Sequence, residues 1–257
     1  FDVVSDSIFE TLSDTKTPQG ILAIVKRLNY TMNDLMQVKN QKAPHLVVLD
    51  NLQDLNVTDV FYKGKLVDRN APIRVKTCGR ALKHTVHLDK VKAEQFVLPI
   101  GKKKTHVIGI NPSQITTEDL AVSLPPAANY VPTDGYSKVA AVERHHNTGK
   151  IGVAVAKGYG IRNGAVASSV SHDSHNIIVI GDNDRDMALA VDEIIRTQGG
   201  YTVVENGEVF ETLPLPIMGL MSDAGFESVN ETLGRMIKKA HEMGVPADIE
   251  PFITLSF

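Results

Sequence analysis

The chain of 257 residues contains a single cysteine, Cys78, and this scarcity excludes a framework of internal disulfides. A thiol without a partner suits a reducing compartment, so we expect a cytoplasmic protein. No apolar run approaches the roughly 18 residues of a membrane helix, and the first residues do not read as a signal peptide. Basic stripes are absent and the formal net charge is -3, so neither nucleic acid nor a membrane is expected as a partner.

Several motifs of known chemistry are also missing. The metal-binding patterns H-x-H and H-E-x-x-H do not occur, and His84 and His87 form only a weak H-x-x-H. The stretch GKIGVAVAKGYG fits neither the P-loop nor the dinucleotide-binding fingerprint, so its glycines are expected to serve tight turns. Cys78 has no local partner that would activate it as a nucleophile. The chemistry must therefore be sought in the polar segments between strands.

Short apolar runs separated by turn residues predict a mixed α/β (α+β) fold that begins with a small β-module. The module contains a strand at Leu46–Leu49 and a hairpin whose turn is Lys63-Gly64. A larger sheet is expected from five further apolar runs. These runs cover residues 105–110, 139–143, 151–158, 165–170 and 176–181.

Two amphipathic helices are predicted to cover the larger sheet. The first has Asp182 or Asn183 as its N-cap and ends at Gly199-Gly200, and the second spans roughly residues 227–243. Each has a continuous apolar stripe along one face. The stripes are Met187, Ala190, Val191, Ile194 and Ile195 in the first helix, and Val229, Leu233, Met236, Ile237 and Ala240 in the second.

Two other segments carry local signals. Asn206-Gly207 predicts a hairpin, because both residues tolerate the positive φ angles of a type I′ turn. The final stretch PFITLSF, residues 251–257, predicts the middle of a strand. These patterns divide the chain into a first part of uncertain structure (1–45), a β-domain segment with a linker (46–94), and an α/β domain (95–257).

Four of the nine histidines lie in two clusters, each at the end of a predicted strand. His145 and His146 occur in VERHHNTGK, and His172 and His175 occur in SHDSHN. Loops at strand ends project functional groups from a rigid frame. Nearby carboxylates can hold an imidazole in one tautomer or exchange protons with a substrate.

Three interpretations of these clusters compete. Metal ligation requires His172 and His175 to converge, which happens only if the segment turns, because they would face opposite sides of an extended strand. Alternatively, the polar side chains satisfy buried backbone groups at strand ends. The third interpretation is the polar lining of a ligand pocket. The density of polar groups favours a pocket for SHDSHN as a set.

The longest motifs resemble a known family. VERHHNTGKIGVAVAKGYGIRNGAVASSVSHDSHNIIVIGDNDRDMALAV, followed by LPLPIMGLMSD and PFITLSF, closely resembles the C-terminal domain of bacterial and archaeal adenine deaminases. The resemblance extends from about Phe96 to Phe257. Upstream, HLVVLDNLQDLNVTDVFYKGKLV resembles the small β-domain that follows the barrel in amidohydrolase-type enzymes.

The resemblance implies hydrolytic deamination of adenine to hypoxanthine and ammonia, a purine-salvage reaction, by a (β/α)₈ barrel that holds manganese or iron. Such a barrel takes about 250 residues, so we expect most of it, with its metal ligands, to lie outside this chain. Residues 1–45 would then be a barrel remnant, and the isolated chain would be inactive. Adenine, the missing barrel and further copies in a homo-oligomer are the expected partners.

Within such an enzyme, we expect the SHDSHN loop to close over the barrel mouth of the same or a neighbouring subunit. Its candidate catalytic residues are His172, Asp173 and His175. The candidate substrate-binding residues are Glu143, His145, His146, Ser171 and Asn176. No metal ligand is assigned within this chain. The alternative is a non-catalytic purine-binding or oligomerisation module, which the missing metal motif favours and the β-module at 46–67 opposes.

Overall fold

The structure is a computed structural model that describes residues 46–50, 56–62, 65–68, 79–133 and 135–257. Residues 1–45, the predicted barrel remnant, lie outside the described part of the chain. The chain divides into two compact units, Phe1–Val75 and Lys76–Phe257.

The first unit contains a three-stranded antiparallel sheet in the order β1-β2-β3. Its strands are β1 (Leu46–Asp50), β2 (Asn56–Tyr62) and β3 (Lys65–Leu66). Phe61 pairs with Leu66, which confirms that the predicted hairpin strands are neighbours. The predicted turn residues, Lys63-Gly64, lie outside the described part.

The second unit is built on an eight-stranded mixed sheet with the order β11-β10-β8-β9-β6-β7-β4-β5. Within it, β4 and β7 pair in parallel and the other neighbours are antiparallel. The strands are β4 (Thr105–Ile110), β5 (Thr117–Val122), β6 (Tyr136–Val142), β7 (Ile151–Lys157), β8 (Gly164–Ser168), β9 (Ile177–Gly181), β10 (Gly200–Glu205) and β11 (Glu208–Pro214). The predicted α+β class is confirmed, and the described residues contain no (β/α)₈ barrel.

Two helices, α1 (Asp184–Thr197) and α2 (Phe226–Glu242), pack on opposite faces of this sheet. Successive strand residues point to opposite faces, which separates the core into two layers. Ala165 and Ala167 pack in the layer that contains α1, whereas Val166 packs in the layer that contains α2. Segment 79–96 also belongs to this unit, since Val86 and Phe96 are buried in the α1 layer.

The ends of α1 show how local sequence sets the helix. Asn183 is the N-cap, and its Oδ1 accepts a hydrogen bond from the backbone N–H of Asp186 at 2.9 Å. At the other end Gln198 takes the left-handed conformation, with φ 60°, and the N–H of Gly199 donates to the carbonyl of Ile194. The glycine pair therefore lies one residue beyond the left-handed C-cap rather than forming it.

A buried ion pair ties the start of α1 to β6. Lys138 is 1% exposed, and its Nζ lies 2.5 Å from Asp184 Oδ1. The same ammonium donates to the carbonyl of Phe96 at 3.0 Å and to Asn129 Oδ1 at 2.9 Å. Because a buried charge is tolerated when it is paired and hydrogen-bonded, this network fixes the helix against the sheet.

The predicted hairpin is confirmed: Asn206 and Gly207 have φ angles of 52° and 81° between β10 and β11. The predicted strand at 251–257 is wrong. The chain there forms turns and a 3₁₀ helix, Thr254–Ser256, because the Glu250 carboxylate accepts from the N–H groups of Phe252 and Ile253. Other 3₁₀ helices in the described residues cover Arg80–Lys83 and Ala93–Phe96. None of the described helices has the length and apolar character to cross a membrane.

Candidate functional site

The two histidine clusters meet at one end of the eight-stranded sheet. β9 is antiparallel to both β6 and β8, and Val142 at the end of β6 pairs with Ile177 at the start of β9. The loops that follow β6 (143–150) and β8 (169–176) therefore emerge side by side. His145 Nε2 lies 2.9 Å from the carbonyl oxygen of Ser174, so the two loops are in direct contact.

Residues 172–176, which we call the HDSHN loop, form a tight turn with Ser171 rather than an extended segment. The N–H of His175 donates to the carbonyl of Ser171, and the N–H of Ser174 donates to the carbonyl of His172, both at 2.8 Å. Asp173 and His175 have φ angles of 62° and 48°. Left-handed conformations at residues other than glycine are uncommon, and such strain is concentrated at functional sites.

His172 and Asp173 form an exposed pair at the tip of this loop. His172 Nδ1 lies 3.3 Å from Asp173 Oδ1, and the side chains are 62% and 91% exposed. The imidazole stacks on the ring of Phe257 with centroids 5.1 Å apart. The backbone N–H of His172 donates to the carbonyl of Ser256 at 2.6 Å. The 3₁₀ segment that replaces the predicted C-terminal strand therefore supports this histidine.

His175 and Asn176 carry polar atoms without partners. His175 Nδ1 and Asn176 Oδ1 are buried and make no hydrogen bond to any residue that the structure describes. Buried polar atoms are normally satisfied, so two such atoms on adjacent residues require an explanation. Ser171 differs, because its buried hydroxyl lies 3.2 Å from the hydroxyl of Ser174.

Glu143 organises the neighbouring loop. Its Oε1 accepts from the N–H groups of His145 and His146 at 2.5 and 2.8 Å, and its Oε2 accepts from the N–H and hydroxyl of Thr148 at 3.1 and 2.9 Å. Desolvation acts to raise the pKa of Glu143, but these four hydrogen bonds outweigh it and lower the pKa from 4.5 to about 2. The carboxylate is therefore ionised, and its hydrogen bonds are made within its own turn.

His145 is fixed by both loops, whereas His146 faces solvent. A carbonyl oxygen only accepts, so Nε2 of His145 carries the proton that it donates to Ser174. This contact leaves Nδ1 of His145 as the nitrogen that can carry a lone pair. The rings of His145 and His146 are 6.3 Å apart and tilted by 56°.

Arg144 is the residue at this site that sequence reasoning missed. It lies between Glu143 and His145, is 1% exposed, and its Nε donates to the carbonyl of His175. The alternation of β6 indicated this residue. Every second position is buried, at Lys138, Ala140 and Val142, and Arg144 is the next position in that series. A charged residue at a buried position of such a pattern indicates a specific polar role.

The described residues do not fit a metal ion. No group of three or more His, Cys, Asp or Glu side chains in the described ranges converges as a metal site. The segment 171–176 does turn, but no such group forms around His172 and His175 among the described residues. The manganese or iron expected from the family resemblance is therefore not assigned to any described residue.

A separate cleft of about 250 Å³ lies at the opposite end of the sheet. Its polar lining includes Arg162, Asn163 and Asp182, and the Asp182 carboxylate already accepts from the N–H groups of Asn163 and Gly164 at 2.6 and 3.0 Å. None of the candidate catalytic or substrate-binding residues lines this cleft. The histidine loops thus lie at the other end of the eight-stranded sheet, away from this cleft.

Comparison with known proteins identifies similar sequences. Residues 114–257 match the family model described as the adenine deaminase C-terminal domain. The chain is 45% identical to an adenine deaminase of Desulfitobacterium hafniense (strain Y51), over 89% of this chain and 40% of the relative. Identity is 41% to an adenine deaminase of Nitratidesulfovibrio vulgaris (strain DP4), over 89% and 41%. It is 37% to adenine deaminase 2 of Carboxydothermus hydrogenoformans, over 92% and 43%. The chain thus spans about two fifths of the length of these relatives.

Proposed function

The chain belongs to the adenine deaminase family, and from that premise we propose that it is the C-terminal part of an enzyme that hydrolyses adenine to hypoxanthine and ammonia. Because it spans about two fifths of its relatives, we place a (β/α)₈ barrel and the metal ligands in polypeptide outside this chain. The isolated chain then lacks the groups that activate water. Its own contribution is the surface formed by the histidine loops.

The observation that carries this proposal is the pair of buried, unpartnered atoms His175 Nδ1 and Asn176 Oδ1. Adenine presents an amino donor beside ring-nitrogen acceptors. The carbonyl oxygen of an asparagine accepts from an amino group, and an imidazole nitrogen donates or accepts according to its tautomer. The two atoms are therefore chemically suited to the purine edge.

The His172–Asp173 pair supplies the proton-transfer chemistry in this proposal. Leaving ammonia must be protonated, and an imidazole is the side chain most often used for such transfers. Asp173 Oδ1 lies 3.3 Å from Nδ1 of His172, so the two side chains can form an ion pair. Stacking on Phe257 restricts the ring plane. Glu143 acts indirectly in this scheme, by shaping the turn that presents His145 and His146.

The proposal is tested in the intact enzyme with His172→Ala and Asp173→Asn. Each variant is expected to lower kcat/KM for adenine about 10²-fold, the scale for a positioned acid or base. His106→Ala is the matched control, because His106 and Asp119 form a similar exposed pair, 2.8 Å apart, on β4 and β5. Unchanged activity per folded molecule in the two loop variants would refute the catalytic role. So would an equal loss in the control.

A non-catalytic purine-binding module is the second candidate, since the unpartnered atoms lie wholly within this chain. Titration of the isolated chain with adenine, followed by the side-chain resonances of His175 and Asn176, distinguishes the two. Micromolar binding without the rest of the enzyme would favour the module. Binding that requires the longer polypeptide would favour the enzyme.

A further inference from the structure

We propose that Arg144 is a positioning residue that holds the HDSHN loop in its observed conformation. The conformation of this loop can be measured in the chain without the rest of the enzyme. The effect of Arg144 on turnover rests on the proposed function, and the experiments below separate the two.

The guanidinium of Arg144 joins three separate segments. Its Nε donates to the carbonyl of His175 in the HDSHN loop. Its Nη1 donates to the carbonyl of Thr85 at 3.2 Å, and its Nη2 donates to the carbonyl of Met218 at 3.1 Å. The planar fork of an arginine can serve several acceptors at once, which a lysine ammonium does not reproduce.

This cation is buried without a counter-charge among the described residues. Arg144 is 1% exposed, and no described carboxylate lies within ion-pair distance of it. Neutral carbonyl oxygens therefore supply its compensation, and burial is tolerable only while they remain aimed at it. The dependence is mutual, since the same carbonyls would lose their donors if the guanidinium were removed.

The segment at Met218 and Gly219 is shaped around the guanidinium. Both residues are left-handed, with φ angles of 59° and 71°. A Cβ added to Gly219 would lie 2.7 Å from Nη1 of Arg144, which is too close for real atoms. The carbonyl of Gly219 also accepts from the hydroxyl of Ser169 at 2.6 Å. Both ends of the segment 169–175 are thus connected to the same packed turn.

The hydrogen bond from Arg144 to His175 fixes the part of the loop that carries the two unpartnered atoms. The carbonyl of His175 belongs to the peptide group that joins His175 to Asn176. The bond from Arg144 therefore sets the orientation of this peptide plane. Those two residues carry the unpartnered Nδ1 and Oδ1 atoms, so a rotated peptide would move both atoms away from a common ligand.

Two variants of this chain test the positioning role by amide hydrogen exchange. Arg144→Lys keeps the charge but loses the fork, and Gly219→Ala keeps the arginine but displaces it. Both are expected to accelerate exchange of the His175 N–H at least about tenfold, because local opening becomes easier. Gly234→Ala is the control, since a Cβ at that exposed position of α2 meets nothing within 4 Å. Unchanged His175 exchange in both folded variants would overturn the inference.

The unmodified chain provides a readout that needs no variant. The Nε–H of Arg144 is expected to exchange at least about 10²-fold more slowly than that of the exposed Arg185, because it is buried and hydrogen-bonded. Equal exchange rates for the two arginines would overturn the inference even if both variants failed to fold.

Turnover by the intact enzyme separates this inference from the proposed function. Arg144→Lys and Gly219→Ala are expected to lower kcat for adenine about tenfold or more, and added guanidinium ion is expected to restore part of kcat in Arg144→Ala. If His175 exchange accelerates while kcat is unchanged, the positioning of the loop stands and its catalytic role fails. If kcat falls while exchange is unchanged, the positioning role fails.

Discussion

At the scale of single residues, Glu143 and His175 show opposite hydrogen-bonding states on neighbouring loops. Glu143 receives four hydrogen bonds from its own turn, whereas Nδ1 of His175 is buried without one. A satisfied carboxylate stabilises the fold, and a buried imidazole nitrogen without a partner among the described residues calls for an explanation. The same contrast separates the supporting residues of the site from those that we place against the purine.

Glu143→Gln tests the supporting role through the pH dependence of stability. The folded-state pKa of about 2 lies below the ordinary 4.5, so the carboxylate stabilises the fold above pH 4.5 and this contribution is lost as pH falls towards 2. At pH 7 the variant is expected to lose about 1 kcal/mol in the free energy of unfolding, since an amide cannot accept all four bonds.

Urea unfolding of both proteins from pH 7 to pH 2 measures this effect. The difference between them is expected to shrink across that window, and Glu208→Gln, at an exposed position of β11, is the control. A difference that stays constant down to pH 2 would contradict the assigned pKa.

At the scale of elements, α1 is defined at its start by side chains rather than by its apolar stripe. Asn183 caps the helix, and Asp184 joins it to Lys138 on β6. The stripe gives the helix its buried face, but it does not specify the residue at which the helix begins. The sequence left Asp182 and Asn183 as alternatives, and the structure assigns the cap to Asn183, whereas Asp182 accepts from the N–H groups of Asn163 and Gly164 at the start of β8.

Replacement of this cap has a defined expected outcome. Asn183→Ala is expected to lower the free energy of unfolding by about 1 kcal/mol, whereas Asn183→Gly costs only a few tenths, because a glycine leaves the first helical N–H groups open to water. Urea denaturation followed by circular dichroism measures both. An unchanged free energy of unfolding in Asn183→Ala would show that the cap hydrogen bond to Asp186 is not a source of the stability.

At the scale of the whole molecule, the chain consists of two compact units. It spans about two fifths of the length of its relatives. The second unit has two core layers of its own, one on each face of its sheet. We expect a unit with a core on both faces of its sheet to fold without further polypeptide, and under the proposed function it supplies only part of an active site.

We expect the purified chain to show no adenine deamination, with or without added manganese or ferrous iron. The measurement is the ultraviolet change that accompanies conversion of adenine to hypoxanthine, with the intact mass recorded on the same sample. Turnover by a polypeptide of 28.0 kDa would place a complete catalytic site within these residues. It would refute the proposal that the metal ligands lie outside this chain.

The sequence by itself determined the α+β class, the hairpin at Asn206-Gly207 and the apolar stripes of both helices, because periodicity and turn chemistry act over a few residues. It also singled out both histidine loops. Only the tertiary structure decided that these loops touch, that Arg144 joins them, and that residues 251–257 form a turn beneath His172. Those contacts are made between residues distant in sequence, and they depend on strand order and on the pairing of buried polar groups. Local sequence patterns predict neither the strand order nor the pairing of buried polar groups.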